Sequence, residues 1–79
     1  MFTVYAIKSE RQNYIYVGMT SDLSKRINAH NSGYEKTTKA YRPFVLIYEE
    51  VFEDRIKARD KEKYLKTTSG KRFLRKQIT

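Results

Sequence analysis

The sequence predicts a small α+β domain, a three-stranded antiparallel sheet flanked by helices in the order β-β-α-β-α with a short terminal helix. Three observations carry this. Residues 2–8 (FTVYAIK) and 14–19 (YIYVGM) alternate with period two on either side of the polar stretch SERQN, which is a hairpin pattern. Residues 44–52 (FVLIYEEVF) are the most continuous apolar run. Residues 20–31 and 53–67 have a helical period instead. At 79 residues the chain has room for one core, so a single domain over 1–79 is expected.

In the first strand, Phe2, Val4 and Ala6 share one face and Thr3, Tyr5 and Ile7 the other, so both faces can pack. The second strand repeats the alternation and ends in Gly18 and Met19. A helix follows over TSDLSKRINAHN, with Thr20 or Ser21 as candidate caps and Asp22 at its positive pole. Leu23, Ile27 and His30 lie on one stripe, and the Asn-Ser-Gly at 31–33 suits a left-handed close. The connection YEKTTKAYRP is polar and ends at the only proline. Residues 44–52 are expected as a central strand. In the helix over 53–67, Ala58, Glu62 and Leu65 share one face. The end, SGKRFLRKQIT, starts with a Ser-Gly break and offers Phe73, Leu74 and Ile78 for docking.

Composition narrows the function. Seventeen Lys and Arg against nine Asp and Glu give a net charge of +8, an excess that favours a polyanionic partner. With no cysteine, there is neither a disulfide framework nor a thiolate metal site. No apolar run approaches a membrane span, and the amino terminus enters a strand at once without a signal-like start. A cytoplasmic protein with no membrane partner and no obligate protein partner is the expectation.

Several polar residues stand in apolar places. Arg26 and His30 are four apart and border or enter the stripe of the first helix, so they can meet a common ligand. Glu62 interrupts the stripe of the second. A carboxylate there needs a cation or donor, supplied either by a nearby Lys or Arg or by one largely hydrated divalent metal. A hairpin of this length can set Tyr5 and Tyr16 on one face, and Gly18 points to that face with no side chain, leaving room for a ligand. Two phenols, an arginine, a histidine and a lone carboxylate in a basic chain make a plausible kit for phosphodiester hydrolysis.

With those residues assembled, the sequence resembles a GIY-YIG nuclease domain of the small stand-alone kind, over about residues 2 to 76. TVY at 3–5 and YVG at 16–18 stand for the two family motifs, Arg26 for the hallmark arginine and His30 for the residue four positions on. Glu62, within ARDKEKYLK, stands for the metal-binding glutamate. The resemblance implies DNA hydrolysis with a single divalent metal, Mg²⁺ or Mn²⁺, in repair or processing. Catalytic roles would fall to Tyr5, Tyr16, Arg26 and His30, and Gly18 would supply active-site backbone. It does not say which tyrosine activates the water. Thr3 replaces a family glycine, Met19 stands where many members carry Lys or Arg, and the terminal stretch lacks an asparagine found in several branches. Family members that act on defined sequences or structures usually add a separate DNA-binding domain. Here the candidate DNA contacts are Lys36, Lys39, Arg42, Lys71, Arg72 and Arg75, which suit recognition of structure rather than sequence. A nucleic-acid-binding module that keeps the fold but cleaves little is the alternative.

Overall fold

A computed structural model describes residues 1–78. Strands β1 (Phe2–Ser9), β2 (Ile15–Thr20) and β3 (Phe44–Phe52) form one antiparallel sheet in the order β2-β1-β3. Helix α1 (Leu23–Ser32) and a single 3₁₀ turn (Lys39–Tyr41) lie between β2 and β3; α2 (Arg55–Leu65) and α3 (Thr68–Lys76) follow. The predicted fold is the observed one.

The central strand is β1, not β3. Val4, Tyr5, Ala6 and Ile7 are all fully buried, because helices cover both faces of the sheet and strands flank both edges of β1. β3 carries Glu49 and Glu50 and leaves Val45 and Val51 about half exposed, a composition that suits an edge. Its apolar run is broken by a bulge: Ala6 pairs with Tyr48 and Ile7 with Leu46, leaving Ile47 as the extra residue.

Alternation along β1 and β2 divides the core in two. On one face Val4, Ala6, Ile15 and Val17 pack with Ala58, Leu65 and Leu74 of α2 and α3, and Met19 joins them. On the other, Tyr5, Ile7 and Phe44 pack with Tyr16, Leu23 and Ile27. The phenols therefore lie on the α1 side of the sheet, and α2 stands on the opposite side.

Capping follows short-range chemistry. Asp22, rather than Thr20 or Ser21, caps α1 by accepting from the Lys25 amide, while the Thr20 hydroxyl accepts from the Asp22 amide. Gly33 closes α1 at a φ of 86°, in the left-handed region. Asp54 and Thr67 cap α2 and α3. Gly70 is no break: it lies in the first turn of α3, where a Cβ would sit 2.5 Å from Leu65 Cα and collide with the Tyr64 carbonyl. Leu74 is buried as expected, but Ile78 is 41% exposed because it lies past the end of the helix.

Since backbone atoms cannot yield as a side chain does, Gly70→Ala should lower stability by about 1–3 kcal/mol in urea denaturation, with exposed Ser69→Ala staying within about 0.5 kcal/mol.

Candidate active site

Tyr5 has no exposure to solvent, so its hydroxyl must find partners inside the protein. Its oxygen lies 2.9 Å from His30 Nε2. The Tyr5 phenol and the Glu35 charge together raise the Arg26 pKa against the opposing effect of burial. The Tyr5 hydroxyl gives its one proton to His30, because the Thr38 hydroxyl, which donates to the Glu35 carbonyl, leaves its own oxygen for the hydrogen on the far ring nitrogen. Nε2 is then the bare nitrogen and Nδ1 carries hydrogen. Nδ1 lies 2.9 Å from Thr38 Oγ1, which accepts from it and donates to the Glu35 carbonyl at 3.4 Å. The Glu35 carboxylate returns to Arg26 at 2.6 Å. Tyr5, His30, Thr38 and Glu35 thus form one network, and its Glu35 end holds Arg26.

Burial sets the electrostatics of that network. It pushes the Tyr5 pKa up to about 12, so the phenol is protonated at neutral pH. Burial, reinforced by the Arg26 charge and partly offset by Glu35, holds His30 below the ordinary imidazole value. The histidine is neutral at pH 7 and keeps Nε2 free to receive a proton. Tyr16 stands beside the network, its ring centroid 6.3 Å from Tyr5 and 4.8 Å from His30, and is only partly buried. It is the phenol with access to solvent. A hollow of about 430 Å³ at the start of α1, lined by Thr20, Ser21, Asp22, Lys25, Arg26 and Ala29, opens the arginine to solvent.

Four sequence-nominated residues therefore meet: Tyr5, Tyr16, Arg26 and His30. Gly18 lies directly opposite Tyr5 in the β1–β2 register. A Cβ there would come within 2.6 Å of the Tyr5 hydroxyl, so the space beside it holds the phenol rather than standing open. Thr38 and Glu35 were not nominated. Both lie in a polar connection with no periodicity, and only the burial of Thr38 in the fold distinguishes it from its neighbours.

The chain matches the GIY-YIG catalytic domain over residues 1–76. It belongs to the GIY-YIG family. Similar proteins are UPF0213 protein SH2523 of Staphylococcus haemolyticus, 38% identical over 73 residues covering 91% of this chain and 88% of that one; a UPF0213 protein of Clostridium perfringens, 41% identical over 64 residues covering 80% and 68%; and UPF0213 protein YazA of Bacillus subtilis, 39% identical over 69 residues covering 86% and 69%. No solved structure matches the chain. Membership in the family implies a nuclease-like domain, nucleic acid as partner and metal dependence in general.

Glu62 is the one residue nominated for a GIY-YIG metal. It is 7% exposed between Ala58 and Leu65, on the α2 side of the sheet. Arg59 and Lys66 each donate to one of its oxygens at 3.2 Å. None of its recorded partners belongs to the tyrosine cluster. Among the described residues no group of three or more His, Cys, Asp and Glu side chains could hold a metal ion. A lone hard carboxylate fits one largely hydrated Mg²⁺ or Mn²⁺, held by a single protein oxygen, and no caged site. The two cations on it are about half exposed and can turn away into solvent. Of the basic candidates, Lys36, Lys39 and Arg42 line a hollow on the α1 side, and Lys71, Arg72 and Arg75 line another on the α3 side. Among the described residues no helix is long and apolar enough to cross a membrane.

Because the His30 pKa is lowered in the fold, the unfolded chain takes up the proton first. Stability should fall as pH drops through about 6.5 by up to about 1.4 kcal/mol per pH unit, then level off below the folded pKa. His30→Gln should remove that component in urea titrations between neutral and mildly acid pH. The chain has one histidine, so ¹⁵N spectra report its tautomer directly. Hydrogen is expected on Nδ1, and Thr38→Val should abolish that preference at a cost of about 1–3 kcal/mol.

Proposed function

We propose that this chain is a metal-dependent endonuclease that hydrolyses DNA phosphodiester bonds, acting as one GIY-YIG domain over residues 1–79 in DNA repair or processing in the cytoplasm. The observation that carries it is the hydrogen-bonded network from Tyr5 through His30 and Thr38 to Glu35, with solvent-reaching Tyr16 and Arg26 beside it. Nothing in packing alone calls for an arginine and a neutral histidine on one buried phenol.

Tyr16 and Arg26 would bind the phosphate and the attacking water. The water oxygen bonds to phosphorus as one ester oxygen leaves and takes a proton from solvent, while the attacking water's proton enters at Tyr16 and passes into the phenol–imidazole network to end on His30 Nε2. Arg26, held by Glu35, supplies positive charge to the phosphoryl oxygens in the transition state. Tyr5, with its pKa near 12, conveys a proton between partners instead of standing as a phenolate. Glu62 would hold the divalent metal, which when bound polarises the phosphate and eases departure of the leaving oxygen.

One observation supports a second reading, a binding module that cleaves little: Glu62 faces the other layer of the sheet and both its oxygens are already paired with cations.

Labelled single-stranded, duplex and branched DNA, incubated with Mg²⁺ or Mn²⁺, separates the two. For the enzyme, Arg26→Ala should slow cleavage by about 10²–10³-fold and Tyr16→Phe by about 10²–10⁴-fold. Glu62→Ala should remove the metal dependence. Wild-type rates in all three variants would defeat the nuclease; tight DNA binding without cleavage by the wild type would establish the module.

A further inference from the structure

Each of the two basic hollows touches the hairpin tip, one through Arg11 and the other through the Arg75–Asn13 bond. On the α1 side, Arg11 from the tip joins Lys36, Lys39 and Arg42 around about 400 Å³. On the α3 side, Lys66, Lys71, Arg72 and Arg75 surround about 370 Å³. Among the described residues no acidic side chain lines either one, and of their cations Lys66 is paired with Glu62. Arg11 extends the set of basic residues read from sequence.

Both are built rather than incidental. Arg42 lies over Gly33, where a Cβ would strike its guanidinium. The hairpin loop is tied to the α1 side by the Ser9 hydroxyl, which donates to the Tyr41 carbonyl at 2.5 Å and accepts from the Arg11 and Gln12 amides at 3.1 Å. On the other side Arg75 donates to Asn13 Oδ1 at 2.7 Å, and Lys71 to the Ile15 carbonyl at 3.0 Å. The Lys71 pKa is lowered, first by burial and then by the charges of Arg75 and Lys66, so these cations are held together against their mutual repulsion. Between the hollows, residues 10–13 (Glu-Arg-Gln-Asn) are exposed and polar.

We propose that the hairpin tip enters a groove of duplex nucleic acid, with one basic hollow on each phosphate backbone. A two-stranded β-ribbon fits the major groove, and side chains such as Gln12 and Asn13 can meet base edges while the cations hold the two strands. An anionic membrane fits less well, because the tip carries no aromatic or aliphatic side chain to insert. This surface rests on the nucleic-acid half of the function proposed above and not on cleavage.

The test is binding of a short fluorescent duplex and its single strand in EDTA across a salt series, so that failure of cleavage leaves it untouched. Arg11→Ala/Lys39→Ala and Arg72→Ala/Arg75→Ala should each flatten the duplex dependence of log K on log salt by about 1.8, at roughly 0.9 per lost phosphate contact. Only one of the two pairs should alter single-strand binding. Arg11→Lys/Arg75→Lys should keep the wild-type slope, and thermal midpoints show that the variants are folded. A duplex slope unchanged by either alanine pair overturns the straddling geometry, as does a single strand that responds equally to both. Binding to phosphatidylserine vesicles with none to duplex overturns the partner.

Discussion

A phenol sealed from water cannot leave its hydroxyl unsatisfied, and in this protein that requirement at Tyr5 organises one whole side of the sheet. Its proton goes to His30, which must then be neutral and present its bare Nε2. The other ring nitrogen needs an acceptor, so Thr38 is drawn inward and the connection after α1 folds back on the helix. Glu35, three residues earlier, comes with it and clamps Arg26. Gly18 follows from the same contact, since the phenol lies where its side chain would be. The same bonds that allow burial also leave a neutral imidazole and a fixed cation beside a solvent-reaching tyrosine.

The sheet separates that cluster from Glu62. Alternation along β1 sends Tyr5 one way and Val4 and Ala6 the other, so α1 and α2 occupy opposite faces. The shortest way between the two groups runs around an edge of the sheet, and β2 is the edge strand that carries Tyr16 and Gly18. Cationic residues are divided in the same way, one group with the connection after α1 and one with α3, and the hairpin tip contributes Arg11 to the first and bonds Arg75 of the second through Asn13.

Much of this was legible in one dimension. Period-two alternation located β1 and β2, and their shared face followed from the length of the turn. Ala58, Glu62 and Leu65 on one helical stripe are indeed the buried residues of α2. Strand order was not legible: the apolar run at 44–52 suggested a centre, but burial of β1 comes from partners on both edges, which local hydrophobicity cannot report. Gly70 read as a break because glycine disfavours helices, whereas the close approach of α3 to the end of α2 requires it. Thr38 and Glu35 were invisible for a related reason. Their roles arise from contacts with α1 and with each other across an aperiodic segment.

The sequence by itself determined the elements, the two faces of the hairpin, the basic character of the chain and the residues that carry its family resemblance. These depend on side-chain period, charge and local motif, all properties of neighbours along the chain. Tertiary structure alone decided that β3 is an edge, that His30 is a neutral acceptor of a buried proton, and that Glu62 stands across the sheet from the phenols. Each of those depends on which distant groups exclude water from a given atom and replace its hydrogen bonds. That is settled only when the layers pack.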